Sequence, residues 1–303
     1  MCFLFIFIHL LVLAARVRSC SFSVYQRTVQ VQSSGTCIAV ISGLLSAIPF
    51  GIVGTYVVVR RISYIAGAIS HCILGGVGLG LYLQNARGIS WFGPLQGAIL
   101  VALLAAIVLA GVGYFAKQRE DSVIGALWSA GMAIGLLFIA KTPGYTDPMS
   151  YLFGNILLIT RNDIFFVLLL DVLVVCIVGL FYNKFLAICF DNEFAHLRGI
   201  RTHWLYLLLL CLTALTIVLL VRIVGIVMVI ALLTLPAAIA GSFATSIRQM
   251  MLIAILLCAI FILSGLGISY QLDLPSGPVI ITIAAAVYLV VSISLKYIFT
   301  GKA

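Results

Sequence analysis

Charged side chains are scarce in this sequence. They make up 8% of its 303 residues, whereas 64% are hydrophobic. A soluble domain typically carries about 25% charged residues, so the composition excludes an ordinary soluble globular protein. Apolar surface on this scale has to be covered by lipid, which predicts an all-α, polytopic bundle of transmembrane helices.

Signatures of soluble chemistry are missing as well. None of the eight cysteines forms a Cys-x-x-Cys pair, so we interpret them as small packing residues, not as a zinc site or disulfide framework. The chain has no Gly-x-x-x-x-Gly-Lys-Ser/Thr loop and no His-Glu-x-x-His motif. We therefore expect it neither to hold ATP by itself nor to be an enzyme. Energy for any pumping would come from a partner or an ion gradient.

Long apolar stretches are what the chain has instead. Nine of them match the roughly 17–25 residues of a membrane span. They are residues 37–59, 64–84, 94–116, 122–140, 164–182, 204–221, 223–241, 250–269 and 278–298. The segment Trp204–Gly241 is broken only by Arg222, and it predicts two spans with a tight turn or one span and a broken or re-entrant helix. We expect about eight to ten crossings on this length rule.

Basic residues lie in the short breaks between these stretches. With Tyr182–His203 placed in the cytoplasm, ten Lys and Arg residues face inward, four face outward and three belong to the N-terminal region. The positive-inside rule favours this orientation. The net charge of +9 therefore indicates membrane orientation and not nucleic-acid binding.

The ends of the predicted domain are less clear than its centre. Residues 1–35 form an N-terminal extension whose apolar part, Cys2–Ala15, is short for a span and lacks the preceding charges of a signal peptide. It predicts an interfacial helix, an extra span or an upstream start site. Residues 36–300 form the transmembrane domain, within which 148–160 is too short to cross and predicts an outer re-entrant or surface helix.

Two ionisable side chains lie deep in predicted spans. His71 is the only histidine well inside one, and Asp171 is the only carboxylate, about 12 Å along its helix from Asp163. Such groups usually face a cavity or pathway, and neutral imidazole binds zinc, manganese and iron, so both are candidate metal ligands. The structural alternatives are an interhelical hydrogen bond for His71, and a protonated carboxyl or an ion pair with Arg222 for Asp171.

Two other segments have features of a docking helix and of a kink. In the polar loop Asp191–Ile200, Glu193 and Gly199 fit the start and end of a short capped helix, which either docks a soluble partner or is a solvated connector. Pro236 removes one helical hydrogen bond and should kink its span, and Thr234 is placed to satisfy the freed backbone. The kink suits a gate, although proline kinks also occur in passive packing.

Small residues also recur at helical spacing. Gly76-x-x-x-Gly80 and Gly131-x-x-x-Gly135 each place two glycines on one face of a helix. Such pairs let a second helix approach closely, and packing within the chain is their ordinary role in membrane bundles.

Five segments, taken in order, resemble one family: the permease subunits of bacterial zinc, manganese and iron ABC transporters. The resemblance extends from about Ile41 to Tyr297. The segments are Gly54–Arg61 with Ser70-His71 and Gly76-Val77, then Tyr151–Asn155, Phe190–Ala195 with Gly199-Ile200, Val224-Gly225, and Leu232–Ala240 around Pro236.

The resemblance implies an ABC-importer permease fold in the bacterial inner membrane. Such permeases act as homo- or heterodimers with cytoplasmic ATP-binding subunits and an external metal-binding protein. Glu193, Ala195 and Gly199 would lie in a coupling helix on the ATPase, within a cytoplasmic loop at 184–203, and His71 would lie on the metal path. The cargo would be manganese, zinc or iron, with no permanently bound cofactor and with ATP used by the partner.

The chain departs from the family pattern at two positions near His71. The family often has an acidic residue four positions before the histidine and a proline four positions after it, whereas this chain has Gly67 and Gly75. The missing acid argues for a weak site, unless Asp171 compensates.

Other functions are compatible with the same residues. One is a permease for a larger metal chelate, such as a siderophore or cobalamin. Another is a secondary transporter or channel that needs no ATPase. A third is an intramembrane enzyme, against which the lack of a paired catalytic set argues.

Overall fold

The computed structural model describes residues 29–89, 91–115, 120–143, 152, 154 and 161–300. Most of the N-terminal extension, and the predicted helix at 148–160 apart from Leu152 and Gly154, lie outside these residues. The chain divides into two compact units, Met1–Cys37 and Ile38–Ala303. The side chains discussed below all belong to the second unit.

The described residues form ten α-helices. They are α1 (Val29–Val59), α2 (Ser63–Arg87), α3 (Pro94–Phe115), α4 (Glu120–Lys141), α5 (Arg161–Phe190), α6 (Asn192–Leu197), α7 (Thr202–Val224), α8 (Ile226–Gly241), α9 (Ile247–Leu272) and α10 (Ser276–Thr300). All except α6 and α8 are long and apolar enough to cross a membrane. The predicted all-α polytopic bundle with about eight to ten crossings is therefore confirmed.

A single glycine divides the longest apolar stretch. Gly225 separates α7 from α8 with φ 86° and ψ 159°, a conformation essentially restricted to glycine. The start of α7 lies near the end of α1, because the Arg60 guanidinium stacks over the Tyr206 ring. The end of α8 returns to the same level, since Val59 packs against the cluster that contains Ala240. The stretch is thus one span, α7, and a shorter helix, α8, that turns back beside it at Gly225 and is not among the helices long enough to cross a membrane.

The second of these helices is short for a crossing. Its 16 residues extend about 24 Å, against a hydrocarbon core of about 30 Å. It packs against α2, α7, α9 and α10. Protein therefore surrounds α8, and its ends need not reach the lipid headgroups on both sides.

Glycines place α2 between α3 and α4. Of the eight long helices α2 is the most buried, and its Gly76 and Gly80 lie directly against the α3 side at Gly97 and Gly93. Added Cβ atoms at these positions would collide with backbone. Gly131 and Gly135 of α4 meet the opposite side of α2 in the same way, at Cys72 and Leu74. Both predicted small-residue motifs therefore pack helices within this chain.

Candidate functional site

His71 is held by an aromatic contact and not by a hydrogen bond. It lies on α2, half-buried, and its imidazole stacks on the indole of Trp128 from α4 with ring centroids 4.3 Å apart and planes 18° apart. Its Nδ1 is enclosed and has no hydrogen-bond partner. Among the described residues, His71 therefore does not make the interhelical hydrogen bond that was its structural alternative.

The same indole covers the position one turn before His71. A Cβ atom added at Gly67 would lie 3.1 Å from Cζ3 of Trp128, tighter than an ordinary van der Waals contact. The ring of Tyr64 also contacts Trp128, with centroids 5.9 Å apart. Among the described residues no three His, Cys, Asp or Glu side chains come together as a metal site. His71 therefore faces an aromatic cover where a second ligand would be needed.

Sequence reasoning missed Trp128. A tryptophan in an apolar span gives no signal of its own, because aromatic residues are ordinary packing residues there. The usable signal was the departure at Gly67, since a position that loses its side chain leaves space for a neighbour to fill.

Asp171 is buried on α5, with only 7% of its surface exposed, and neither carboxylate oxygen has a hydrogen-bond partner. The predicted alternative of an ion pair with Arg222 is wrong, because the Arg222 Nε lies 3.3 Å from Oδ1 of Asp163 instead. α5 packs on α6 and α7, whereas α2 packs mainly on α3 and α4. Both helices also pack on α7, and among the described residues Asp171 and His71 are not brought together in a group of three or more metal-ligating side chains.

Pro236 leaves one backbone carbonyl of α8 without its usual hydrogen-bond donor, and a side chain of another helix donates to it. The proline in α8 lacks the N–H that would donate to the Leu232 carbonyl. The thiol of the fully buried Cys258, on α9, donates to that oxygen at 3.5 Å. The predicted role of Thr234 is wrong, since its hydroxyl donates to Ile230 at 2.8 Å. The carbonyl that Pro236 leaves without its helical donor is thus bonded to α9.

Two of the five family-like segments meet at the turn between α7 and α8. Gly154, with φ 64°, lies against the backbone of Val224 and Gly225, and a Cβ added there would be 2.5 Å from the Gly225 nitrogen. Only glycine permits this approach. Gly154 therefore covers the break at which α8 turns back.

The helix predicted in the loop after α5 is present as α6. Asp191 is its N-cap, and the carboxylate accepts hydrogen bonds from the backbone N–H groups of Glu193 and Phe194, each at 2.9 Å. Glu193 lies in the first turn, where a negative charge complements the helix dipole. A six-residue helix is marginal alone, so this cap is a main source of its order.

Glycine ends α6 as the sequence predicts. Gly199 has φ 77°, and its N–H donates to the His196 carbonyl at 2.9 Å while the Ile200 N–H donates to Ala195 at 3.1 Å. This pair of bonds is the Schellman arrangement that closes a helix. Both ends of α6 are therefore fixed by local bonds.

The outer face of α6 exposes apolar side chains. Leu197 is 85% exposed and Phe194 is 51% exposed, and Phe190 just before the helix is 77% exposed. Glu193 is exposed too, whereas Ala195 is fully buried against the core. Of the predicted coupling residues, Ala195 thus seats the helix, and only Glu193 and Gly199 can touch a partner. An apolar patch on a charged rim is typical of a protein contact surface.

The segment Gly54–Arg61 lies beside α6. Its Arg60 guanidinium donates to the Ile188 carbonyl on α5, and Arg61 has a left-handed φ of 57°. A cavity of about 790 Å³ opens between this turn and α6, lined by both arginines and by Glu193. The Arg60 hydrogen bond therefore joins the end of α1 to the last turns of α5, just before α6.

The orientation of the chain can be tested at two exposed leucines. We expect Leu197→Cys in α6 to be shielded from a membrane-impermeant maleimide in intact cells, and Leu274→Cys between α9 and α10 to be labelled. The positive-inside rule places the first in the cytoplasm and the second outside. The parent chain, with its native cysteines, gives the background. Labelling of position 197 in intact cells would reverse the assignment.

Residues 33–295 match the ABC 3 transport family, and the chain belongs to that family. It is a multi-pass protein of the bacterial inner membrane. It is 39% identical over 244 residues to a Chlamydia trachomatis protein named "Probable metal transport system membrane protein", covering 80% of this chain and 83% of the relative.

Two streptococcal proteins are also similar. The manganese import system permease protein ScaB of Streptococcus parasanguinis is 32% identical over 252 residues, covering 83% of this chain and 88% of the relative. The solved structure of PsaBC from Streptococcus pneumoniae in complex with Fab includes a chain with a TM-score of 0.75 and 29% identity, with 85% of this chain and 90% of that one covered. The sequence-based identification of the family is therefore confirmed.

Proposed function

We propose that this chain is the membrane-spanning permease subunit of an ATP-driven importer of divalent first-row metal ions. Membership of the ABC 3 transport family and likeness to a manganese import permease support this function. The observation that carries it is the half-buried imidazole of His71, which has no hydrogen-bond partner although it lies well inside a membrane-spanning helix.

A histidine in this position needs a polar partner. Burying a polar group without a hydrogen bond costs several kcal/mol, so imidazole nitrogens in spans normally meet protein, water or an ion. Stacking on Trp128 packs the face of the imidazole ring but gives its nitrogens no hydrogen-bond partner. Because Nδ1 is enclosed, a passing divalent ion would bind at Nε2, and neutral imidazole binds such ions well.

The surface of α6 and the lack of a phosphate-binding loop in this chain support a separate ATP-binding partner. A short helix fixed at both ends, with exposed Phe194 and Leu197, suits docking of a cytoplasmic ATP-binding subunit. That subunit would use the ATP, since this chain has no loop to cradle it. A second permease subunit and an external metal-binding protein complete the assembly that the family resemblance implies.

Asp171 is proposed as an acidic step for cations in the same subunit. Its unpartnered carboxylate would be stabilised by a cation or a proton, because an isolated charge in an apolar interior is very costly. It lies on α5 and not on α2, the helix that carries His71, and we propose it as a second point of the path.

Metal uptake by cells gives the test. In bacteria that lack their own importers, we expect this chain with its genetically neighbouring ATP-binding subunit and binding protein to restore uptake of manganese, zinc or iron. Without the ATP-binding subunit, uptake should stay at background. Equal uptake with and without it would favour an ATPase-independent secondary transporter instead.

A further inference from the structure

We propose that Trp128 is a specificity-determining residue of the metal path: it covers Gly67 and orients His71, so that the site selects imidazole-seeking ions such as zinc over manganese. This inference rests on the proposed function, because it concerns the ion that passes His71. It adds the class of metal and a residue that sequence reasoning did not find.

The stacking geometry determines which atom can coordinate. The ring planes of His71 and Trp128 are only 18° apart, so the indole covers one face of the imidazole. Nitrogen lone pairs lie in the plane of the ring, at its edge, and stacking leaves them free. Because Nδ1 is enclosed and Nε2 is not, the structure leaves Nε2 as the coordinating atom. Trp128 thus fixes the direction in which His71 offers its lone pair.

Trp128 also prevents a carboxylate at position 67 from joining His71 as a second metal ligand. Positions 67 and 71 lie one turn apart on one face of α2, where a carboxylate at 67 would reach an ion bound at 71. The indole fills that space, since even a Cβ at Gly67 would lie 3.1 Å from Cζ3 of Trp128. Among the described residues no carboxylate and second ligand gather with His71 into a metal site.

Ligand chemistry then gives the preference. Carboxylate, carbonyl and water oxygens suit Mn²⁺, whereas imidazole suits Zn²⁺, Fe²⁺, Ni²⁺ and Cu²⁺. Affinity of a nitrogen site also rises from Mn²⁺ through Co²⁺ to the later metals. A site whose protein ligand is an oriented imidazole therefore discriminates against Mn²⁺.

Trp128 itself is the reporter for a binding test. The other two tryptophans, Trp91 and Trp204, are exposed and can be replaced by phenylalanine without altering the site. In this double variant, held in lipid nanodiscs without ATP or partners, Co²⁺ should quench the Trp128 emission, because the paramagnetic ion would bind the ring stacked on the indole. Zn²⁺, which does not quench, should displace Co²⁺ and restore the emission at concentrations about tenfold or more below Mn²⁺.

His71→Leu in the same background is the control. It should abolish the saturable quenching, since it removes the ligand but keeps bulk beside Trp128. Unchanged quenching in His71→Leu would overturn the inference, as would displacement by Mn²⁺ and Zn²⁺ at equal concentrations. These results are separate from the proposed function, because ATP-driven uptake plays no part in them.

A designed exchange of ligands tests specificity. Gly67→Asp with Trp128→Ala would place a carboxylate and an imidazole on one face of α2, so the preference for Zn²⁺ over Mn²⁺ should fall about tenfold in competition for radioactive Co²⁺. Trp128→Phe keeps an aromatic cover and should keep the preference. An unchanged preference in the double variant, or an equal fall in Trp128→Phe, would contradict the role of Trp128.

Discussion

His71→Ala is expected to reduce metal uptake by about tenfold or more, the scale on which metal sites respond to loss of supporting residues. The reason is chemical: the variant removes an imidazole that lies well inside a membrane-spanning helix and whose Nδ1 has no hydrogen-bond partner among the described residues. Uptake of a radioactive ion by cells or proteoliposomes with the ATP-binding subunit measures the effect, normalised to the amount of chain in the membrane.

A leucine at the same position separates the two interpretations of His71. Leucine fills the space beside Trp128 better than alanine, so a packing role would be rescued by His71→Leu and a ligand role would not. Leu79→Ala is a matched control, because Leu79 is also half-buried on α2, about two turns further along. Full uptake in His71→Leu would show that the histidine only fills space.

Gly199→Trp should cause a loss of similar size by a different route. Gly199 ends α6 with a left-handed φ of 77°, which strains any side-chain-bearing residue by about 1–3 kcal/mol. No atom lies within 4 Å of an added Cβ, so the indole would not clash within this chain. It would project beside the exposed face of α6. We expect ATP-driven uptake to fall about tenfold or more while membrane insertion is normal, since about 1.4 kcal/mol of lost docking energy is enough.

Gly88→Trp is the control for backbone strain. Gly88 also ends a helix with a left-handed φ, of 70°, and also has open space around an added Cβ. It follows α2, at the end of that helix remote from α6. If Gly88→Trp reduced coupling as much as Gly199→Trp, the effect would be general strain and not the loss of a docking surface.

The sequence predicted the helices well because one physical rule governs them. An apolar run long enough to cross the bilayer has to be helical, and all nine predicted stretches correspond to helices. The choice at Trp204–Gly241 stayed open, because glycine is common inside membrane helices and Gly225 alone does not indicate a reversal. Its partner Gly154 belongs to a distant segment, so only the fold shows that it covers the turn.

The site was predictable where the signal is local and not where it crosses between helices. Asp191 and Gly199 bond to their own neighbours, and the capped helix was correctly predicted. The Cys258 thiol bonds to the Leu232 carbonyl, 26 positions away in the sequence, so the sequence gives no sign of this bond. Thr234, the hydroxyl near Pro236 in the sequence, bonds to Ile230 instead. The stack of Trp128 on His71 likewise joins two helices.

We expect this chain to conduct divalent metal when a separate ATPase drives it. The most direct measurement is uptake of radioactive zinc and manganese into proteoliposomes that contain the purified chain, the ATP-binding subunit and the metal-loaded binding protein. Accumulation should require ATP and the ATP-binding subunit, and His71→Leu should reduce it about tenfold or more. Equal accumulation by the chain alone without ATP, or undiminished ATP-driven accumulation by His71→Leu, would contradict it.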